Sequence, residues 1–168
     1  RVGNEGSIGS PGNAAVGGGV ATSVAFPAPQ VDSADVNTLD DYEEGTWTMA
    51  PKFGGAFVGG TMGAQTSEYT KIGNRVMLNG DGALTTKGSS VGSATIAGLP
   101  FASGTGSYEM ATLLSGITFA GVPSLRVTSS GTVLDWFQTL DATGALSALA
   151  DTNFSDGDSW ALTGSYKV

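Results

Sequence analysis

Apolar and polar residues alternate in short runs over most of the chain, and no window of eleven or more residues keeps a 3.6-residue period. Val76 and Leu78 alternate with Arg75 and Asn79, and Trp160 and Leu162 with Ser159 and Thr163. Such alternation predicts strands with one buried and one solvated face. Candidate strands are Glu68–Ile72, Arg75–Leu84, Ser93–Ile96, Tyr108–Leu114, Leu125–Ser129, Thr132–Leu140 and Ser159–Val168, each bounded by Gly, Pro, Asn or Ser. Thr46–Met49 alternates as well, and Pro51 is expected to end that strand. Roughly seven to nine short strands without a fixed-period repeat predict an all-β fold, an antiparallel β-sandwich or jelly roll.

Two stretches depart from this pattern. Arg1 to Gln30 is rich in Gly, Ser, Ala, Asn and Pro, and its apolar residues Val2, Ile8 and Val16 are isolated. It is expected to form an extended Gly-rich N-terminal arm without a core, either flexible or laid against neighbouring chains. Within it, Val20–Phe26 has the β-branched content of a short strand, ended by Pro27 and Pro29. The predicted division is therefore an arm, 1–30, and a β domain, 31–168. Asp32–Glu44 holds six of the fifteen acids. A turn or single helical turn is expected around Thr38–Glu43, capped by Asn37 or Thr38 and stopped by Gly45.

Composition narrows the function. There is no Cys and no His. Disulfides, thiolate nucleophiles, a Ser-His-Asp triad and His- or Cys-ligated zinc are excluded, and the redox compartment is not legible. No cofactor is expected. The net charge is −8 with seven dispersed basic residues, which argues against nucleic-acid binding. No apolar run approaches the roughly 18 residues of a membrane span, so no membrane insertion is expected. The chain opens on Arg with no signal-peptide pattern, as a fragment or processed product would. Leu, Ile, Val and Phe make up only 36 of 168 residues, while Gly contributes 27. A core this thin predicts that association adds stability, most simply in a symmetric homo-oligomer.

Three groups could carry chemistry. The acids Asp40, Asp41, Glu43 and Glu44 offer carboxylates for glycoside hydrolysis or, more simply, a solvated turn; adjacent residues do not face each other across a scissile bond. Asp151, Asn153 and Ser155 fall at positions 1, 3 and 5 of a calcium-loop pattern. Asp156 stands where that pattern needs Gly, and Leu162 where it needs Glu, so a polar turn built on Asp156-Gly157 is expected instead. The aromatics Tyr108, Trp136, Phe137, Phe154 and Trp160 suit either a core or a sugar-stacking surface. Trp136 is the one expected to be exposed, because Val133–Phe137 is apolar on both faces except at Asp135. Gly104–Ser107, with Thr105 at its centre, reads as a loop tip rather than a phosphate cradle.

The stretch Asn37–Thr48, NTLDDYEEGTWT, resembles a recurrent motif of phage tail fibres and related virion proteins, where LDDYEEGTWTP opens the distal C-terminal domain. Met49 stands in place of the final Pro. Tyr69–Val76 (YTKIGNRV), Ala97–Ala102 (AGLPFA) and Leu162–Tyr166 (LTGSY) are similar to three further segments of that family, in the same order. The resemblance implies a homotrimeric sandwich or jelly-roll head that attaches the virion to a host-cell surface glycan or outer-membrane protein, alongside other virion tail proteins. It implies no catalytic role for the motif. Asp40, Asp41 and Tyr42 would shape a turn, and Trp47 would pack in the core or a subunit interface. Receptor contacts are expected in the loops Thr85–Gly92, Ala102–Ser107 and Ala142–Ser147, with Trp136, Tyr108 and Thr105 as candidate contact residues. Two other functions remain open: a capsid decoration or fibre-capping protein, and a polysaccharide depolymerase using an Asp/Glu pair.

Overall fold

A computed structural model describes residues 41–141 and 143–168. The arm 1–30, the strand expected at Val20–Phe26, the cap at Asn37 or Thr38 and Asp40 all lie outside the described residues. Among the described residues eleven strands form, in the order β1 (Tyr42–Thr46), β2 (Ala50–Phe53), β3 (Thr61–Met62), β4 (Thr66–Ile72), β5 (Arg75–Thr86), β6 (Ala94–Ala97), β7 (Tyr108–Ser115), β8 (Val122–Val127), β9 (Val133–Thr139), β10 (Leu146–Ala148) and β11 (Ser159–Lys167). One 3₁₀ turn, Asp151–Asn153, precedes β11.

All pairings are antiparallel, and they join the strands into one curled sheet in the order β1-β4-β5-β11-β7-β8-β9-β6-β2. β3 adds to β5 and β10 to β9. The bend falls on β7. Its first half, Tyr108–Met110, pairs with β8, and its second half, from Ala111 to Ser115, pairs with β11. The sheet thus has two arms, β1-β4-β5-β11 and β8-β9-β6-β2, that close over one core as a half-barrel. Trp136 of β9 and Trp160 of β11 meet edge to face across it, with centroids 6.2 Å apart. Phe154 packs on Trp136 at 5.9 Å and on Phe53 at 5.3 Å.

Most of the expected strands form close to their predicted limits, because alternation marks their buried faces: Val76, Leu78 and Leu84 on β5, and Trp160, Leu162 and Tyr166 on β11. Three expectations are corrected. Tyr42 and Glu43, expected in the turn around Thr38–Glu43, belong to a strand paired with β4, while residues 38–40 lie outside the described residues. The strand expected at Thr46–Met49 does not form, since β1 ends at Thr46 and β2 begins at Ala50, and Pro51 lies inside β2; among the described residues β2 is at the sheet edge, where a missing N–H is tolerated. Pro123 likewise lies in β8, which begins at Val122 instead of Leu125, at a level where β7 has already left it.

The two ends of the half-barrel differ. At the near end, where the described chain begins, Gly73 N donates to Asp41 O (3.2 Å), Val168 N to Asn74 O (2.9 Å), Gly104 N to Lys167 O (2.7 Å) and Ser130 N to Gly104 O (3.0 Å). At the far end, Ser89 N donates to Val58 O, Asp151 N to Gly92 O and Thr118 N to Asn153 O, each at 2.9 Å. These bonds tie together loop segments that lie far apart in the chain.

Candidate functional site

Four segments spread between Asp41 and Tyr166 converge at the near end. Register places Glu43 opposite Lys71 and Gly45 opposite Tyr69. The Tyr69 hydroxyl donates to Glu43, and Lys71 forms an ion pair with Asp41. A Cβ on Gly45 would lie 2.7 Å from the Tyr69 ring, so the glycine makes room for that ring. Tyr69 meets Phe101 edge to face at 5.5 Å, and the Lys71 ammonium sits 5.6 Å from the centroid of the same ring. The Phe101 carbonyl accepts from the Tyr166 hydroxyl at 2.9 Å. Just before Phe101, Gly98 takes φ +101°, and a Cβ there would lie 2.0 Å from Thr48 O. Only glycine accommodates both that backbone angle and that approach. Trp47 is buried; its N donates to Ser67 O and its Nε1 to Asn79 O. Asp41, Tyr42, Glu43 and Trp47 thus bind their own sheet, and the Tyr42 hydroxyl donates to Glu44 on the outer face.

Burial pushes the Tyr166 hydroxyl up to about 12. An unfolded tyrosine ionises near pH 10. Above that pH the unfolded chain loses a proton that the folded chain keeps, so stability falls from about pH 10 until the folded group titrates near 12. The expected loss over that interval is about 2–3 kcal/mol. Urea midpoints at about pH 9 and pH 11.5 measure it, and Tyr166→Phe should remove most of the slope. The shifts of Tyr69 and Tyr42 have the same sign, caused first by their hydrogen bonds to Glu43 and Glu44.

The candidate contact residues do not form one site. Trp136 is 2% exposed and belongs to the core, which corrects its expected exposure. On β9, Leu134, Trp136 and Gln138 point inward while Val133, Asp135 and Phe137 point outward. The Arg126 guanidinium, 5.1 Å from the ring centroid, covers the outward Phe137, which is why the run looked apolar on both faces. Tyr108 is half-buried, and its hydroxyl donates to Thr105 O within the same loop. Thr105 is exposed, but the Ala102–Ser107 loop sits at the near end beside Val168.

The Thr85–Gly92 loop is at the far end and carries features that sequence did not mark. Val91 and Val58 are 71% and 63% exposed, and their loops are stitched together by Val58 N donating to the Ser90 hydroxyl at 2.8 Å. Phe119, Val122 and Leu146 are also exposed at this end. Polar residues brace the loops from beneath. Asp151 Oδ1 accepts from Gly92 N at 2.8 Å, Asp156 Oδ1 from Lys87 N at 2.7 Å, and Asp158 Oδ2 from Ser155 N at 2.7 Å. The Gly92 N–H first, and Lys87 second, hold the Asp151 carboxyl below its usual range. The calcium-like segment therefore acts as a stitched turn. Asn153 donates to Thr118 O and accepts from Ala150 N. Among the described residues no group of three or more acidic side chains is placed to hold a metal ion.

On the outer face of β1, β4 and β5 lies a groove of about 370 Å³, bordered by Glu44, Thr46, Glu68, Thr70, Met77 and Asn79. Here two carboxylates, on adjacent strands, face a common space. No known protein family, curated protein or solved structure matches the chain.

Proposed function

We propose that this chain is the receptor-binding tip domain of a phage tail fibre, working as a homotrimer and attaching the particle to a host-cell glycan or outer-membrane protein. The observation that carries the reading is the convergence at the near end. All four fibre-like segments supply partners to one cluster built on Asp41, Tyr69, Lys71, Phe101 and Tyr166, beside the point where the preceding chain joins the sheet. A recurrent motif spent on joining a head to what precedes it leaves recognition to the opposite end. There the loops hold exposed apolar side chains on a braced base, a common form of contact surface. In this reading Thr105 and Tyr108 face the shaft side. The jelly-roll expectation belongs to the same proposal, as the head architecture of such a fibre. Binding would be multivalent, with weak individual contacts reinforced by effective concentration.

The test is labelling of a panel of bacterial strains with the fluorescent full-length chain, and competition with infection. Val58→Glu/Val91→Glu is expected to lower labelling at least about tenfold, since an apolar contact replaced by a charge costs roughly 1.4 kcal/mol or more. Absence of labelling on every strain would overturn the reading. Release of reducing ends from extracted surface polysaccharide, abolished by Glu68→Gln, would make the chain a depolymerase instead.

A further inference from the structure

Among the described residues, no other strand or loop packs on the outer side of β5, β11 and β7. Small side chains, Ala83, Ala111, Ala161, Ser159 and Ser165, are spread over it, and the hydrogen-bonded pair Thr163 and Asn79 lies in its central row. Leu113 rises from it, 75% exposed, beside a shallow depression of about 290 Å³ bordered by Ala83, Ser159 and Ala161. Met77, one row from the near end, is exposed as well. Backbone register fixes these positions, because Ala161 lies opposite both Asp81 and Leu113.

We propose that this face is the contact between copies of the chain, with Leu113 as its anchor. Three observations favour a second copy over another occupant. First, knob and depression share one surface, so copies turning the same face to a common axis present each with the other. Second, charge is balanced here and nowhere near balanced overall. The three strands carry Arg75 and Lys167 against Asp81 and Glu109 on their outer side, whereas the whole chain has a net charge of −8. A face without net charge adds no repulsion between two copies that each carry a net negative charge. Third, the area is of the right order. Three strands about 4.8 Å apart, with residues about 3.3 Å apart along each, span roughly 400 Å² in projection, and more in accessible surface once side chains and flanking strands are counted. A standard interface takes about 800 Å² of accessible surface per partner. The number three rests on the fibre-tip reading; the choice of face does not.

The chain contains no cysteine, which makes a crosslinking test clean. Full-length Leu113→Cys and Val91→Cys are oxidised separately at the same dilute concentration. Both positions are highly exposed in the single chain, but only the first lies on the proposed contact. Leu113→Cys is expected to form a covalent two-chain product at least about tenfold faster, because neighbours held together react at their effective concentration. Light scattering of the unmutated chain is expected to give a mass of several chains, and Leu113→Glu to shift its dissociation to higher concentration. Equal crosslinking rates at the two positions overturn the proposal, as does a single-chain mass for the unmutated protein. Cell labelling reads the other question: if the Leu113→Cys variant crosslinks but the unmutated chain labels no strain, this interface stands and the receptor reading fails.

Discussion

Trp136→Ala is expected to lower the unfolding free energy by about 3–5 kcal/mol, the largest single-residue effect from core truncation in this chain. The residue is 2% exposed and holds both arms of the curled sheet, through Trp160 on β11 and Phe154 before it. Removing an indole from this position leaves a cavity that neither arm can fill, because both are fixed by their own ladders. Urea unfolding followed by tryptophan fluorescence measures the effect, with an unchanged denaturant slope expected. A loss below about 1 kcal/mol would mean that the arms are not held through this contact and that the site collapses freely. Trp136→Phe should recover much of the loss while leaving the indole edge contact to Trp160 unmade.

Lys71→Met is expected to cost about 3–5 kcal/mol, the usual penalty for stranding one member of a buried ion pair. The side chains of Lys71 and Asp41 are only 10% and 12% exposed, and the ammonium is additionally placed against Phe101. The cost falls on Asp41, left without its counter-charge at the start of β1. The double variant Asp41→Asn/Lys71→Met should be less destabilised than the sum of the single changes, which a double-mutant cycle reads directly. Amide exchange of Tyr42–Thr46 should accelerate in Lys71→Met more than that of β5, since among the described residues β1 is joined to the sheet only through β4. A cost of a few tenths of a kcal/mol would class the pair as a surface bridge and remove the near-end cluster as the anchor of β1.

Both predictions rest on positions whose residue types were visible and whose partners were not. The acids of Asp41–Glu44 look like a solvated turn in isolation, because a charge run usually is one. Glu43 and Glu44 are strand residues and Asp41 directly precedes β1, because Lys71 and the Tyr69 hydroxyl wait on the neighbouring strand, 26 residues away in the case of Glu43 and Tyr69. Val133–Phe137 looked open on one side because the guanidinium of Arg126, which covers Phe137, is supplied by β8. Strands β3 and β10 were not legible, since two or three residues cannot display a period. Pro51 and Pro123 hid the starts of β2 and β8; a proline is a strand breaker only where its N–H is needed. The exposure of Val58 and Val91 left no signal in sequence, because isolated valines in Gly- and Ser-rich loops look the same whether exposed or buried.

Alternation with period two, the absence of any helical period and turn residues at short intervals were enough to determine an antiparallel all-β domain. These are local properties, set by which face of each strand must leave water. Missing Cys and His likewise excluded whole classes of chemistry without reference to any fold. Tertiary structure decided the rest. It bent the sheet at β7, put Trp136 inside, gathered four distant segments around Phe101 at one end and left Val58, Val91 and Leu113 in solvent. The physical reason is that burial and pairing belong to contacts between strands far apart in the chain, and a local pattern records which face is apolar but not what covers it.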